Sequence, residues 1–453
     1  AQSSSTWPLA FPQTTFTNAC RFDSASTDRL TRTITGTNTT KFTASMWVKF
    51  ADDGPNILYA SESNSSDYIF IQHNSSGNLN VQMQGTQNRR ITNRIFRDSS
   101  AWYNFVIVFD STQATADDRI KVYVNGQQET SFSTNTTNMS QNSNLSPLDD
   151  TISFGVGNYP AESQYMNGCI AEFIAVYGQA LTPSSFGATN PVTNIWEPIA
   201  YTGTYGTNGF KLNYSDSSNL GDDTSGNGND FTVNNLTSVD QSTDTPSNNF
   251  AVGNILDNGA DKSPVFLNGN ISYSVGSAVW RYATSTIGVS SGKWYMEQKI
   301  GSYSFAGVTD LYHITANSYA DSDSFVGSEA LSVGYYSQDG NKYTSNSASS
   351  YGDTFTTNDI IGIALDMDNG YVYFSKNGTF QNSGDPTSGS TGTGGIALPT
   401  SSNSTGTFLF MPSLYNGTMD VNYGSPAYSI SSGNADANGH GNFEYAVPSG
   451  YFA

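Results

Sequence analysis

Apolar and polar residues alternate along most of this chain with the two-residue period of a strand. Phe42-Thr-Ala-Ser-Met-Trp-Val-Lys-Phe50, Asp67-Tyr-Ile-Phe-Ile-Gln72 and Asn78-Leu-Asn-Val-Gln-Met83 set one kind of side chain against the next. Stretches 102–110, 119–124 and 168–177 continue the series, with turn residues between them. This spacing predicts an antiparallel all-β sandwich over residues 19–187. A second set, including Val279-Trp-Arg-Tyr282, Lys293-Trp-Tyr-Met-Glu-Gln-Lys-Ile300, Ala330-Leu-Ser-Val-Gly-Tyr-Tyr336 and stretches 360–365, 371–374 and 408–411, predicts another over 262–430. Helical periodicity is nearly absent. Leu181-Thr-Pro-Ser-Ser-Phe186 predicts one turn, with Thr182 as its cap and Pro183 at the first helical position.

Asn-Gly pairs punctuate both sets, at Asn125-Gly126, Asn369-Gly370 and Asn377-Gly378. Both residue types tolerate the positive φ of a type I′ turn, so each pair predicts a tight hairpin. Between residues 188 and 261 the pattern breaks. Pro191, Pro198 and Pro246 punctuate it, and one strand-like run covers Gly209-Phe-Lys-Leu-Asn-Tyr214. A structureless loop of that length is unusual, so an ordered connector is expected. Residues 1–18 form an arm carrying Trp7, Phe11 and Phe16. Residues 431–453 form a tail carrying Phe443, Tyr445, Tyr451 and Phe452. Both ends are expected to contact neighbouring subunits.

Composition sharpens this picture. Aromatics reach 13% while charged residues fall to 12%, so Tyr and Phe build much of the core and neutral polar residues carry solubility. The formal charge of −20 argues against nucleic acid or anionic membranes, which call for basic patches. No apolar run approaches the length of a membrane span. The first residues lack the basic and apolar regions of a signal peptide, as a mature secreted chain also would. Cys20 and Cys169 are too few for a disulfide framework. They read either as a bridge between the first and last strands or as two small core residues.

Candidate chemistry is sparse. Asp216, Asp222, Asp223 and Asp230, with Asn227 and Asn229, form a run dense in oxygen donors, the ligands calcium prefers on turns. The alternative is a cluster of Asx turns. Asp366 and Asp368 have the two-residue spacing of a glycosidase pair, but beside a turn they read as turn-stabilising groups. Glu172 has no acidic neighbour at that spacing. His73, His313 and His440 stand far apart and read as surface or loop residues. No catalytic residue is assigned. Tyr159, Tyr312, Tyr319, Tyr343 and Tyr351 fall in expected loops and are candidates for ligand or interface contacts.

Several stretches resemble known families. Phe42-Thr-Ala-Ser-Met-Trp-Val-Lys, Ala101-Trp-Tyr-Asn-Phe-Val-Ile-Val-Phe-Asp, Val122-Tyr-Val-Asn-Gly and Gly168-Cys-Ile-Ala-Glu-Phe resemble laminin-G or concanavalin-A-like lectin domains. Ser291-Gly-Lys-Trp-Tyr-Met-Glu297, Val333-Gly-Tyr335, Asp359-Ile-Ile-Gly362 and Val372-Tyr-Phe374 resemble a SPRY domain. The resemblance implies two jelly-roll sandwiches in tandem, lectin-like then SPRY-like. The module order, with Thr224-Ser-Gly-Asn-Gly-Asn-Asp-Phe231 and Asp244-Thr-Pro-Ser-Asn-Asn-Phe250, looks like structural proteins of marine tailed bacteriophages. That implies a non-enzymatic virion component, such as a tail fibre, head fibre or capsid decoration. Its partners would be other virion proteins, further copies of itself and host-surface glycans. A secreted polysaccharide-binding adhesin is the alternative.

Overall fold

The computed structural model describes residues 14–34, 36, 38–64, 66–148, 153–159, 163–257, 263–316 and 324–453. The chain is all-β, and two antiparallel sandwiches follow one another. In the first, sheet A runs Gln127–Gln128, Ile120–Val124, Tyr103–Asp110, Lys41–Phe50, Gly168–Tyr177, Ala19–Phe22 and Gln241–Ser242 from edge to edge. Phe210–Leu212 also pairs with Gly168–Tyr177. Sheet B runs Phe132–Thr137, Asn88–Ile95, Asn78–Met83, Asp67–His73, Asn56–Asn64, Ser153–Val156, Arg29–Thr33 and Thr232–Asn234. Between them lie Phe42, Met46, Ile69, Ile71, Val81, Phe105 and Phe173, the alternate residues of strands from both sheets.

The first sandwich does not close at residue 187. The expected connector supplies three of its strands, Phe210–Leu212, Thr232–Asn234 and Gln241–Ser242. Phe210, Leu212, Tyr214, Leu220 and Phe231 sit in its core. The edge of Gly168–Tyr177 serves two partners in succession: Ala19–Phe22 at its start, Phe210–Leu212 further on. The change of partner coincides with a bulge, where the register on Lys41–Phe50 shifts between Ala171 and Ile174 and Glu172 adopts a φ of 38°.

In the second sandwich, sheet C runs Val265–Leu267, Ser272–Val275, Gly417–Asn422, Lys293–Ile300, Ile360–Asp366, Tyr371–Lys376 and Thr379–Phe380. Sheet D runs Arg281–Tyr282, Ser413–Leu414, Ser304–Asp310, Ser332–Tyr336, Asn341–Thr344 and Ser347–Ser350. Met296, Ile363, Phe374, Val308, Val333 and Tyr335 fill the space between. The single turn predicted at Thr182 forms at Pro183–Ser185, with Pro at the start. A five-residue helix, Leu311–Thr315, has Asp310 as its cap, whose side chain accepts the Tyr312 N–H.

Two of the three Asn-Gly turns are tight hairpins with both residues at positive φ, Asn125-Gly126 at 48° and 78° and Asn377-Gly378 at 48° and 80°. Asn369-Gly370 is different. Four residues separate Asp366 from Tyr371, and of the pair only Gly370 has a positive φ. Asp366 holds this wider loop by accepting the Asn369 backbone N–H at 3.0 Å and its side-chain amide at 2.8 Å.

Cys20 and Cys169 are free and buried. Cys169 lies opposite Arg21 on the neighbouring strand, and Cys20 lies opposite Ile170. Directly opposed residues share a face and successive residues alternate, so the two thiols are on opposite faces of sheet A. Cys20 enters the sandwich core, while Cys169 faces the second sandwich.

That outer patch of sheet A forms a polar seam. The ammonium of Lys49, beside Cys169 in register, donates to Asp244 Oδ2 at 2.7 Å, Asn249 Oδ1 at 2.8 Å and the Phe250 carbonyl at 2.8 Å. Arg21 donates to the Pro426 carbonyl at 2.9 Å, and the Asn270 amide donates to the Ala51 carbonyl at 2.6 Å. Gly424, at a φ of 134°, lets Phe250 approach so closely that a Cβ there would stand 2.4 Å from the ring.

The C-terminal tail packs on its own sandwich rather than projecting toward a neighbour. Tyr295, Ala364 and Tyr373 stand in register on three adjacent strands, on the outer face of sheet C. Phe443 and Tyr451 bury themselves on this row. Two backbone bonds pin the end: Tyr295 N–H to the Phe452 carbonyl at 2.8 Å, and Phe452 N–H to the Lys293 carbonyl at 2.9 Å. Of the N-terminal arm, residues 14–18 also touch their own chain, where Phe16 packs edge-on against Trp47. Residues 1–13 lie outside the described residues.

Candidate ligand-binding cleft

The strand pattern that sends Ile69, Ile71, Leu79 and Val81 into the core turns Tyr68, Phe70, Gln72, Asn80 and Gln82 to the outer face of sheet B. Glu62 and Arg89 come from the flanking strands. A short hairpin, Asn158–Tyr159 with Gln164–Tyr165, brings Tyr159 and Gln164 to the same place. Together they line a cleft of about 390 Å³.

The aromatic wall is a cluster of rings. Phe70 meets Tyr159 edge-on at 5.3 Å, and Tyr68 lies 6.4 Å from Tyr159. The Tyr159 hydroxyl donates to Glu62 Oε2 at 2.6 Å, a short charge-assisted bond. The floor is a chain of amides. Gln72 donates to Gln164 Oε1 at 3.1 Å, and Gln82 and Arg89 both donate to Asn80 Oδ1, at 3.1 and 3.0 Å. Tyr68 donates its hydroxyl to Gln82 Oε1 at 2.9 Å. Gln72, Asn80 and Gln82 are buried among the strands, so these bonds fix their orientation before any ligand arrives. Rings beside pre-oriented donors and acceptors can hold a flat, hydroxyl-rich molecule.

Of the tyrosines singled out in the sequence, Tyr159 alone among those described belongs to this cleft. Tyr351 does lie in a loop, just past Ser347–Ser350, but its ring is in the core, a correction to its expected exposure. It is 5% exposed, stands edge-on to Tyr335 at 5.4 Å, and its hydroxyl accepts the Phe374 N–H. Tyr343 lies half-buried in an aromatic cluster with Phe305 and Tyr336 and donates to Asp339, and burial pushes its hydroxyl up to about 12. Tyr312 sits on the short helix against His313. Tyr319 lies outside the described residues. Sequence reasoning missed Glu62, Gln72, Asn80, Gln82, Arg89 and Gln164. The one available signal was an amide recurring at outward positions of successive strands.

The acidic run of the connector is occupied with its own turns. Asp223 accepts backbone N–H groups from Lys211, Ser225 and Asn229 at 2.8–2.9 Å, and Asp230 accepts from Asp223 N–H. Asp216 caps Ser218. No group of three or more metal-ligating side chains forms among the described residues. Asp366 pairs with Lys293 at 2.9 Å and Asp368 accepts Gly292 N–H at 2.7 Å, so both stabilise turns. Glu172 pairs with Lys211 at 2.7 Å, and burial pushes its carboxyl above the usual range.

Two histidines are interior rather than superficial. His73 stacks on Phe50 at 4.1 Å, and His313 Nε2 accepts the Leu331 N–H. Desolvation pushes both imidazoles below their ordinary value. Glu297, a fully buried acid of the second sandwich, accepts backbone N–H groups from Glu444 at 2.9 Å and Tyr445 at 2.8 Å. It is therefore the clamp of the tail. Burial raises its carboxyl, opposed by those two bonds.

Comparison with known proteins gives two domain matches. Residues 23–185 match the model of the concanavalin A-like lectin/glucanases superfamily, and residues 282–396 match that of the SPRY domain. No curated protein matches the chain. Among solved structures, the SPRY domain of human HERC1 is 18% identical, covering 33% of this chain and 86% of its own, with a TM-score of 0.25. Another human SPRY domain is 15% identical, covering 36% and 94%, with a TM-score of 0.24. Among the described residues no helix is long and apolar enough to cross a membrane. The chain carries a concanavalin A-like lectin domain followed by a SPRY domain, two modules of binding type.

Proposed function

We propose that this chain is a non-enzymatic binding protein whose first sandwich receives a glycan in the cleft on sheet B. The observation that carries this reading is the amide chain Gln164–Gln72–Asn80–Gln82 set against the Tyr68, Phe70 and Tyr159 rings. Pre-oriented amides suit sugar hydroxyls, and ring faces suit the apolar C–H face of a pyranose. Glu62 is the one carboxylate among the described residues that line the cleft. Hydrolysis of a glycosidic bond ordinarily needs two, so this supports binding without cleavage.

The test is a glycan panel against the intact chain, with Tyr68→Ala and Gln72→Ala as cleft variants. Each variant is expected to weaken a bound oligosaccharide at least about tenfold, equivalent to about 1.4 kcal/mol. Binding that both variants leave intact would remove the cleft from consideration.

For the setting, we propose the surface of a bacteriophage particle, where the chain assembles with other virion proteins and further copies of itself. The likeness of its module order and connector sequence to marine phage structural proteins supports this. Immunogold labelling of purified particles tests it, and particles free of label would sink it.

A further inference from the structure

The cleft holds a charged group that hydroxyl recognition leaves unused. Arg89 lies on its wall and spends one donor, Nε–H, on Asn80 Oδ1 at 3.0 Å. Its strand neighbours find carboxylates: Arg90 stands 3.6 Å from Asp117, and Arg94 stands 3.4 Å from Glu129. Among the described residues no carboxylate pairs with Arg89, and its two Nη groups have no acceptor. The bond to Asn80 anchors one edge of the planar guanidinium and leaves the fork that matches a carboxylate in two parallel hydrogen bonds. Glu62 keeps its charge and shares the cleft, but it forms no ion pair with Arg89 and instead accepts the Tyr159 hydroxyl at 2.6 Å. The chain's formal charge of −20 repels anions at long range, so any preference for one must be local, and an unpaired arginine fork on the cleft wall supplies it.

We propose that the ligand is an acidic glycan, with a uronate or similar carboxylated sugar placing its carboxylate on the Arg89 fork. Its ring lies against the tyrosines and its hydroxyls meet the amide chain. This rests on the glycan reading above and adds the class of sugar.

The experiment is calorimetric titration of the intact chain with tetramers of galacturonate, mannuronate and glucuronate, each beside its carboxyl-reduced neutral counterpart. At least one acidic tetramer is expected to bind at least tenfold more tightly than its reduced form. Arg89→Gln is expected to erase that preference, weakening the acidic form at least tenfold more than the reduced form. Arg89→Lys, a point charge without the fork, should restore it in part. Thermal unfolding of each variant confirms that it is folded. Equal binding of acidic and reduced forms, or an equal loss of both in Arg89→Gln, would overturn the acidic assignment and leave the glycan cleft standing. Absence of binding to any of the six by the native chain would overturn both.

Discussion

On the first sandwich the outer face of sheet B presents Tyr68, Gln72, Asn80 and Gln82 and stays open. On the second, the outer face of sheet C presents Tyr295, Ala364 and Tyr373 and lies beneath the chain's own tail. The strands beneath are alike, but the outward residues differ. Amides bonded to one another satisfy their own donors and acceptors and leave the face without need of a cover. A row of aromatic and small residues with Glu297 beside it does neither: its apolar surface and its carboxylate both need a cover. The tail supplies rings for the row and two N–H groups for the acid. An outer sheet face is thus a site or a seat according to whether its polar groups close on each other.

The harshest test of this contrast is removal of residues 431–453. Phe443 and Tyr451 would be lost from the row, at roughly 2–3 kcal/mol each, and Glu297 would lose its backbone donors. A loss of at least about 5 kcal/mol in denaturant unfolding is expected. A loss below about 2 kcal/mol would mean that the tail merely rests on the sheet. Next in size is Glu297→Ala, expected to cost about 3 kcal/mol, because the Glu444 and Tyr445 N–H groups lose their acceptor. Glu297→Gln keeps one acceptor and should cost less.

On the open face the pattern should invert. Tyr68→Ala is expected to move unfolding by no more than about 1 kcal/mol while abolishing most ligand binding, if the cleft receives the ligand as proposed above. A large loss of stability there would erase the distinction between the two faces.

The smallest effect is titration. Asp28, in the first sandwich, and Asp257, ahead of the second, are both pushed up to about 6 by burial. Each binds its proton more tightly folded than unfolded. The stability they contribute is complete below about pH 4 and lost as pH rises through about 6. Asp28→Asn and Asp257→Asn should each flatten that part of the stability–pH curve. An unchanged slope in both would refute the assignment.

The strands that carry alternation over five or more residues were legible, as were both sandwiches and the turns at Asn125 and Asn377. What escaped the sequence was closure. The run over residues 209–214 is legible as a strand, but nothing in it says that it pairs with Gly168–Tyr177, and Thr232-Val-Asn234, three residues long, is too short for a period to declare itself; both complete the first sandwich. The tail's rings follow no period at all, because a docked loop meets its partner through irregular contacts. The cleft was hidden for another reason: Gln72, Asn80 and Gln82 fill the polar half of an ordinary strand pattern. Only the fold shows that those halves stand side by side. Tyr351 misled because its flanking Ser and Gly residues correctly mark a loop but say nothing of its ring, which the chain after Ser347–Ser350 delivers to the core.

The seam between the sandwiches has a mechanical meaning. Lys49 belongs to a long interior strand of sheet A, and its three bonds reach the segment that leads into the second sandwich. Arg21, on the neighbouring side of the same sheet, grips the Pro426 carbonyl from that sandwich. A pull on a molecule held in the cleft would not stretch a tether. It would load these bonds in parallel, and parallel bonds share a force until they fail together. The two sandwiches should therefore turn as one lever, delivering tension felt at sheet B to whatever anchors sheet C.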